Sequence, residues 1–156
     1  MAQRNKKIGQ PKDAIAMLKA DHQKVRDLFQ QYEATSDAEA RWTIAEEVFI
    51  ELETHAQLEE NIFYPAVNEE IDEGSELVKE SFAEHQTMKN LIQQLRDMGP
   101  HSPGVDAKFR ELLQHVEHHV EEEETEMFPL AEEELEEDMR DLRDEMQDLK
   151  AQLLAS

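Results

Sequence analysis

Two short segments of the chain carry the same arrangement of potential metal ligands. Residues 55–65 and residues 119–129 each read His-x-x-x-Glu-Glu, with a proline ten residues after the histidine. On a helix, side chains four residues apart lie one above the other on the same face. Each segment therefore predicts an imidazole and a carboxylate that reach the same point between helices, as the pairs His55 with Glu59 and His119 with Glu123.

A further histidine precedes each segment at nearly the same distance. Asp21-His22 lies 33 residues before the first segment, counted between histidines, and Glu84-His85 lies 34 residues before the second. A single His-x-x-x-Glu pattern in an acidic helix is weak evidence for a metal site. Repetition of the whole order argues against chance and predicts two helical-hairpin halves that each contribute ligands.

Apolar residues recur at helical spacing in four stretches and predict an all-α fold. The first stretch follows Asp13, a plausible N-cap, and the others begin near Ala38, at Ser75 and after the loop 99–104. Short connections between four such helices predict an up-down-up-down antiparallel four-helix bundle. The six candidate ligands fill positions on the apolar stripes and are expected to point into the core: His22, His55, Glu59, His85, His119 and Glu123.

The bundle is expected to span residues 13–130, with different segments on either side. Residues 1–12 are polar and basic and predict a flexible arm. Residues 131–156 predict an additional amphipathic C-terminal helix, which packs on its own bundle or, alternatively, pairs with a second chain in a homodimer. Its apolar residues step by four and three in alternation, as in a heptad seam: Leu135, Met139, Leu142, Met146, Leu149 and Leu153.

Composition excludes several classes of function. The formal charge of −22 opposes binding to nucleic acid or to an anionic membrane, because like charges repel. No apolar run approaches the roughly 20 residues of a membrane span, and no apolar signal region follows the basic N-terminus. We therefore expect a soluble, cytoplasmic protein. The absence of cysteine excludes disulfides and thiolate ligands, so any metal must be bound by nitrogen and oxygen.

Four imidazoles and two carboxylates in one layer favour iron, manganese or zinc over calcium or magnesium, which prefer oxygen ligands. Six such ligands are too many for one ion, whereas two carboxylates among four imidazoles can bridge two ions. Ferritin-like di-iron bundles use Glu-x-x-His, and no histidine in this chain has a glutamate three residues before it. The residues therefore predict a histidine-rich site for two metal ions.

In combination, these residues resemble the hemerythrin-like, HHE cation-binding family, over roughly residues 13–150. The resemblance implies a non-haem di-iron centre with an oxo or hydroxo bridge, which binds dioxygen or reacts with peroxide or nitric oxide. It also implies that the six residues named above are the ligands and that the two glutamates bridge the ions. The matching motifs are Asp21-His22, residues 55–59 with Tyr64-Pro65, Glu84-His85, and residues 118–124 with Phe128-Pro129.

One histidine of the oxygen-carrying hemerythrins has no counterpart at its usual place. Those proteins resemble this pattern but have two histidines one turn apart on the third helix, whereas Lys89 and Ser81 lie one turn from His85 here. His115 is an alternative fifth imidazole, and Tyr64 or Tyr32 is an alternative phenolate ligand.

Other residues are expected to play supporting or structural parts. Both tyrosines have an alternative interpretation as core residues, as do Trp42 and Phe49. His118 is expected to support His119 or to lie in solvent, and His101 to lie in an exposed loop. Pro65 is expected to kink or end the second helix, and in the glutamate run 121–124 only Glu123 is expected to point inward.

Three functions remain open on the sequence alone. The first is a di-iron protein that binds dioxygen or a related small molecule for carriage, sensing or iron handling. The second, favoured by the missing fifth histidine, is an enzyme of catalase or peroxidase type that consumes peroxide or nitric oxide. The third is a structural bundle whose terminal helix recruits a partner.

Overall fold

A computed structural model of the protein describes residues 11–72 and 74–155, and in these ranges the regular elements are all helical. The predicted basic arm, apart from Pro11 and Lys12, lies outside the described residues. The α-helices are α1 (Ala14–Ala34), α2 (Ala38–Leu58), α3 (Tyr64–Glu70), α4 (Gly74–Met98), α5 (Val105–Glu122), α6 (Phe128–Glu134) and α7 (Met139–Ala155).

Two π turns join the shorter helices into longer rods. The turn π1 (Glu59–Phe63) connects α2 to α3, and the turn π2 (Glu123–Met127) connects α5 to α6. The bundle thus consists of α1, the α2–α3 rod, α4 and the α5–α6 rod, and α7 packs against α1 and α2. The predicted antiparallel four-helix bundle with an additional C-terminal helix is confirmed.

The helix ends are fixed by local hydrogen bonds and by glycine. Asp13 is the N-cap of α1, as predicted, and its side chain accepts a hydrogen bond of 2.9 Å from the N–H of Ala16. Asp37 caps α2 in the same way. The loop before α5 uses Gly99 and Gly104 at φ values of 76° and 85°, a region that side chains with a Cβ rarely adopt.

Of the two effects expected of Pro65, the ending of the second helix is wrong, because helical backbone continues through it to Glu70. Within a helix, a proline lacks a donor and its ring clashes with the carbonyl four residues earlier. Here the N–H of Tyr64 bonds to the carbonyl of Glu59, five residues earlier, and Pro65 lies in the first turn of the next helix, where its missing N–H is tolerated. Pro129 follows π2 in the same way.

The C-terminal helix begins later than the predicted boundary at residue 131. The α5–α6 rod extends through Pro129 to Glu134, and a short 3₁₀ turn, Glu136–Asp138, precedes α7. Met139, Leu142 and Met146 are buried against the bundle, so this face of the helix packs on its own chain. None of the described helices has the length and apolarity of a membrane span.

The apolar core is divided into two clusters by a layer of polar residues. The first cluster lies at the start of α1 and around α3, α6 and α7, and it includes Phe63, Tyr64 and Phe128. The second lies at the other end of the bundle and includes Phe49, with Trp42 packed partly buried against it. Buried polar residues are costly unless they find partners, so a complete polar layer between the clusters indicates a site.

Candidate metal centre

All six candidate ligands meet in this layer between the two clusters. Their exposed fractions lie between 0% for Glu59 and 7% for His55. Helices α1 and α4 contribute one histidine each. The α2–α3 rod and the α5–α6 rod each contribute a histidine and the glutamate one turn later. The glutamates are the first residues of π1 and π2, where helix geometry departs from the regular α form.

Four of the side chains surround a first position. His55 Nε2 lies 3.1 Å from Glu59 Oε2, and His22 Nε2 lies 3.1 Å from Glu123 Oε1. The ligating atoms of these four residues all lie within 4.8 Å of one another. The structure thus brings together two imidazoles from the first half and one carboxylate from each half.

A second position lies beside the first and uses the remaining atoms of the same carboxylates. His85 Nε2 lies 3.0 Å from Glu59 Oε1, and His119 Nε2 lies 3.4 Å from Glu123 Oε2. Each glutamate therefore directs one oxygen to each position. This is the arrangement that two bridging carboxylates need.

The atoms around the first position are suited to a cation. Four buried atoms make no hydrogen bond: His22 Nε2, His55 Nε2, Glu59 Oε2 and Glu123 Oε1. The 3.1 Å contacts among them are close but lack hydrogen-bond geometry. Adjacent ligands of a first-row ion with bonds of about 2.1 Å lie about 3 Å apart. Because orphaned buried polar atoms are rare in folded proteins, these four fit a metal ion.

The ring nitrogen that faces away from the site is held by a carboxylate in each histidine. Within each half, the acidic residue before the first histidine serves the second: His55 Nδ1 donates to Asp21 at 2.9 Å, and His119 Nδ1 donates to Glu84 at 2.6 Å. A carboxylate in this place fixes the ring orientation and leaves Nε2 free to bind a metal.

The other two supporting carboxylates, Glu60 and Glu124, each bind a histidine of the opposite half. His85 Nδ1 donates to Glu60 at 2.7 Å, and His22 Nδ1 donates to Glu124 at 2.8 Å. The expected solvent-facing role of Glu124 is therefore wrong, since its side chain is about one-quarter exposed and bound to His22. The sequence carried a signal for all four carboxylates, namely the acid before each first histidine and the second glutamate of each His-x-x-x-Glu-Glu.

The hydroxyl of Tyr64 lies beside the second position, close to all four of its candidate ligand atoms. Its hydroxyl donates to Glu123 Oε2 at 2.5 Å and lies 2.9 Å from Glu59 Oε1, 3.4 Å from His85 Nε2 and 3.3 Å from His119 Nε2. In a regular α-helix, residues five apart point about 140° away from each other. The π turn corrects this difference and places Tyr64 on the face of Glu59.

The two halves differ at this point. Phe128 follows Glu123 by the same five residues and stacks on His22, as Tyr64 stacks on His85. The tyrosine hydroxyl thus makes the second position different from the first. Burial and the nearby carboxylates of Glu123 and Glu59 raise the pKa of Tyr64 well above its ordinary value, so the metal-free protein keeps the proton.

Electrostatic coupling within the site shifts several other pKa values. Burial alone would lower the pKa of His55 and of His119, but neighbouring carboxylates outweigh it and hold both pKa values well above 6.5. Burial alone would raise the pKa of Glu59, but His55 and other partners hold it well below 4.5. The carboxylates thus favour the protonated form of both imidazoles, and the imidazoles favour the ionised form of Glu59.

A small apolar cavity of about 30 Å³ adjoins the four histidines on the side of the second cluster. A single water needs at least about 10–15 Å³ of such space, so the cavity accommodates one small molecule. Lys89 and Glu53 also line it. Most of the lining is apolar and includes Val25, Leu52, Met88, Ile92, Val116 and Val120.

The remaining candidates lie outside the layer. His115 is exposed, so the structure does not place it as a fifth imidazole. Tyr32 stacks on Phe109, and its hydroxyl bonds to Asp106, away from the six residues. His101 is exposed and pairs with Glu39.

His118 is also exposed, as one of its two expected roles required. Its Nε2 lies 3.5 Å from Glu84 Oε2 and 3.0 Å from Glu122 Oε1. Because Glu84 holds His119, His118 contacts the support of a candidate ligand without facing the site itself. The two expected roles, support and solvent exposure, therefore coexist.

Comparison with known protein families gives two overlapping matches. The sequence profile of the Hemerythrin HHE cation binding domain matches residues 13–131 and, in a second match, residues 78–156. The chain belongs to the hemerythrin HHE cation-binding family, and it carries a histidine and glutamate cluster that could bind metal.

The match to this chain covers only part of the length of the first two curated relatives. A DNA nickase from Nostoc sp. is 30% identical over 72% of this chain, but the match spans 31% of the nickase. An uncharacterized hemerythrin-like protein from Schizosaccharomyces pombe is 25% identical over 76% of this chain and 59% of its own length. A hemerythrin HHE cation-binding domain-containing protein from Mycobacterium kansasii shares the fold, with a TM-score of 0.78, 24% identity, and coverage of 90% of this chain and 86% of that one.

Replacing Tyr64 with phenylalanine is expected to leave metal content unchanged and to destabilise the metal-free protein by about 1–3 kcal/mol, because buried carboxylate oxygens lose their donor. The ring fits, since Phe128 occupies the matching place. Chemical denaturation and metal analysis measure the two quantities. Tyr32→Phe is the matched control for a lost hydroxyl far from the site. Loss of metal in Tyr64→Phe would instead identify the hydroxyl as a ligand.

Proposed function

We propose that the protein holds two iron ions and binds dioxygen, or a related small molecule such as peroxide or nitric oxide, for carriage, sensing or iron handling. His22, His55, His85 and His119 would bind the ions through Nε2, and Glu59 and Glu123 would bridge them. When bound, the iron pair supplies redox chemistry and an affinity for such ligands. Family membership and the donor set support iron, while manganese and zinc suit the same atoms.

The observation that carries this proposal is the set of four orphaned buried atoms around the first position, beside a second position that shares both carboxylates. A structural bundle gains little from such atoms, because each costs desolvation free energy without a hydrogen bond in return, and only charge attraction such as that between His55 and Glu59 offsets part of the cost. A metal ion compensates for that cost.

The surroundings of the site favour a small ligand of low polarity. The cavity beside the histidines has an apolar wall and room for one diatomic molecule. Tyr64 belongs to the opposite cluster, so its hydroxyl holds the carboxylates in place from the other side. The four supporting carboxylates fix the rings, and apolar residues exclude bulk water from the ligand.

Reduction and reoxygenation of the iron-loaded protein test the proposal. The air-exposed protein is expected to contain two irons per chain and to show the absorption of an oxo-bridged ferric pair. After reduction under nitrogen, admission of oxygen should restore the colour, and removal of oxygen by argon should bleach it again. Absence of any di-iron absorption in an iron-loaded sample would overturn the proposal.

A second candidate function is an enzyme that consumes peroxide or nitric oxide. It is favoured by the exposure of His115, which leaves no fifth imidazole at the site. Oxygen evolution from peroxide, lost in His119→Ala and kept in His115→Ala, would establish this function over simple carriage. Equal activity in all three proteins would assign the turnover to unbound iron.

A further inference from the structure

The C-terminal helix α7 reaches the supporting residues of the metal centre through one lysine. Lys150 Nζ donates to Asp21 Oδ1 at 3.2 Å, and the other oxygen of Asp21 accepts from His55 Nδ1 at 2.9 Å. Asp21 is 7% exposed. A buried carboxylate therefore connects the added helix to a candidate ligand of the first position, with one oxygen for each partner.

The corresponding place in the second half has a different partner. Glu84 holds His119 at 2.6 Å, and its other oxygen lies 3.5 Å from His118 Nε2. Thus a permanent cation from α7 contacts the carboxylate that holds His55, whereas an exposed imidazole contacts the carboxylate that holds His119. At the second position a permanent cation contacts Glu60, which holds His85: Lys89 Nζ donates to it at 3.2 Å. Lys150 differs from Lys89 in that it belongs to the added C-terminal helix.

We propose that Lys150 is a positioning residue of the first metal position, through which the docked C-terminal helix controls how tightly that position holds its ion. This inference rests on the proposed function, because it presumes that metal occupies the site. Lys150 acts through Asp21 and His55 and does not itself touch the ions.

The physical reason lies in the burial of Asp21. A buried carboxylate that loses one partner of its ion pair keeps an uncompensated charge, which is costly. Asp21 can relieve that cost by turning toward solvent, and this movement weakens its hydrogen bond to His55. Residues that orient metal-binding histidines typically contribute 10-fold to 100-fold in metal affinity. Since Lys150 acts one contact further away, we expect the lower end of this range.

Docking of α7 does not depend on the lysine charge alone. Met139, Leu142 and Met146 anchor the helix in the apolar core, and Arg143 donates to the carbonyls of Pro11 and Lys12. The stem of Lys150 is partly buried, with 28% of the side chain exposed. Lys150→Met keeps a long apolar stem while removing the ammonium, so this substitution separates the charge from the packing.

Release of ferrous iron to a chromogenic chelator under nitrogen tests the proposal. We compare the wild type, Lys150→Met, the charge-conserving Lys150→Arg, and Lys19→Met, which removes an exposed lysine from α1. In Lys150→Met, one of the two ions should leave about tenfold faster than in the wild type, at the lower end of the range for residues that orient ligands. The other ion should keep its wild-type rate, and both control proteins should match the wild type.

Three results would overturn the inference, and they have different meanings. Wild-type release rates in Lys150→Met would show that the contact does not support the site. Equal acceleration of both ions, together with a lower unfolding temperature of the metal-free variant, would show a general loss of packing. A wild-type protein that retains no iron would overturn the proposed function along with the inference.

Discussion

Replacement of Glu59 by glutamine is expected to lower the metal content from two ions per chain to less than one. Glu59 directs one oxygen to each position, at 3.1 Å from His55 Nε2 and 3.0 Å from His85 Nε2. The amide has the same shape, but it places an NH₂ group at one position and lacks the negative charge that both ions need. A single substitution should therefore weaken both positions at once.

Glu121→Gln is the matched control for this experiment. It removes one negative charge from an exposed residue of the glutamate run, and two ions should remain. Metal analysis after gel filtration measures the content, and circular dichroism verifies that the helices are intact. Retention of two ions by a folded Glu59→Gln protein would show that this carboxylate does not bridge the metals.

Metal loading is expected to raise the unfolding temperature by about 15–30 °C. A ligand at a thousand times its dissociation constant stabilises the folded state by about 4 kcal/mol, so two ions contribute about 8 kcal/mol. In a protein of this size, each kcal/mol raises the midpoint by about 2–4 °C. The large value follows because four buried polar atoms lose their hydration and lack hydrogen-bond partners without metal.

The stability of the metal-free protein should depend on pH with opposite signs for the two histidines and for Glu59. In the metal-free protein, the raised pKa values of His55 and His119 contribute stability below pH 6.5, and this is lost as the pH rises through the folded values. The lowered pKa of Glu59 contributes stability above pH 4.5, and this is lost as the pH falls through its folded value. For these groups, metal-free stability is greatest between the lowered pKa of Glu59 and the raised pKa values of the two histidines.

Metal binding must displace the protons of His55 and His119, because a protonated imidazole cannot bind a cation. While both remain protonated in the metal-free form, the combined affinity for two ions should rise about a hundredfold per pH unit. The gap between loaded and metal-free unfolding temperatures should therefore widen from pH 6 to pH 8. Calorimetric scans measure it.

The double variant His55→Ala with His119→Ala is the control for this comparison. It should show no increase in unfolding temperature when iron is added. An equal unfolding temperature for wild type and double variant in the presence of iron would favour a purely structural bundle instead.

The ligand layer could be predicted from the sequence because it obeys simple helix periodicity. Four-residue spacing places His55 above Glu59 and His119 above Glu123, and the gaps in the apolar stripes locate His22 and His85. These features depend on the regular α-helix, which the sequence pattern describes well. The structure places all six side chains together, and their role as ligands remains a prediction.

The role of Tyr64 could not be predicted in the same way. Regular periodicity places it about 140° from Glu59, which favours a core tyrosine. The π turn adds one residue to the turn and brings the hydroxyl into the site. Two prolines at matching places indicate a local change in the helix, but the pattern alone does not distinguish a π turn from a kink or an end.

The sequence shows the four supporting carboxylates beside the candidate ligands, but it does not show which histidine each of them binds. Asp21 and Glu84 precede histidines that they do not contact through hydrogen bonds, and Glu60 and Glu124 serve histidines of the opposite half. Such pairings depend on how helices cross in space, and a single sequence contains no information on that crossing. The contact of Lys150 with Asp21 arises in the same way, from the docking of α7.

Anomalous diffraction from crystals of the iron-loaded protein, recorded at the iron absorption edge, tests the central claim most directly. We expect two peaks in the polar layer, one among His22, His55 and the two glutamates, and the other beside His85, His119 and the same glutamates. A single peak, or iron bound at the surface near His118 with none in the layer, would contradict it.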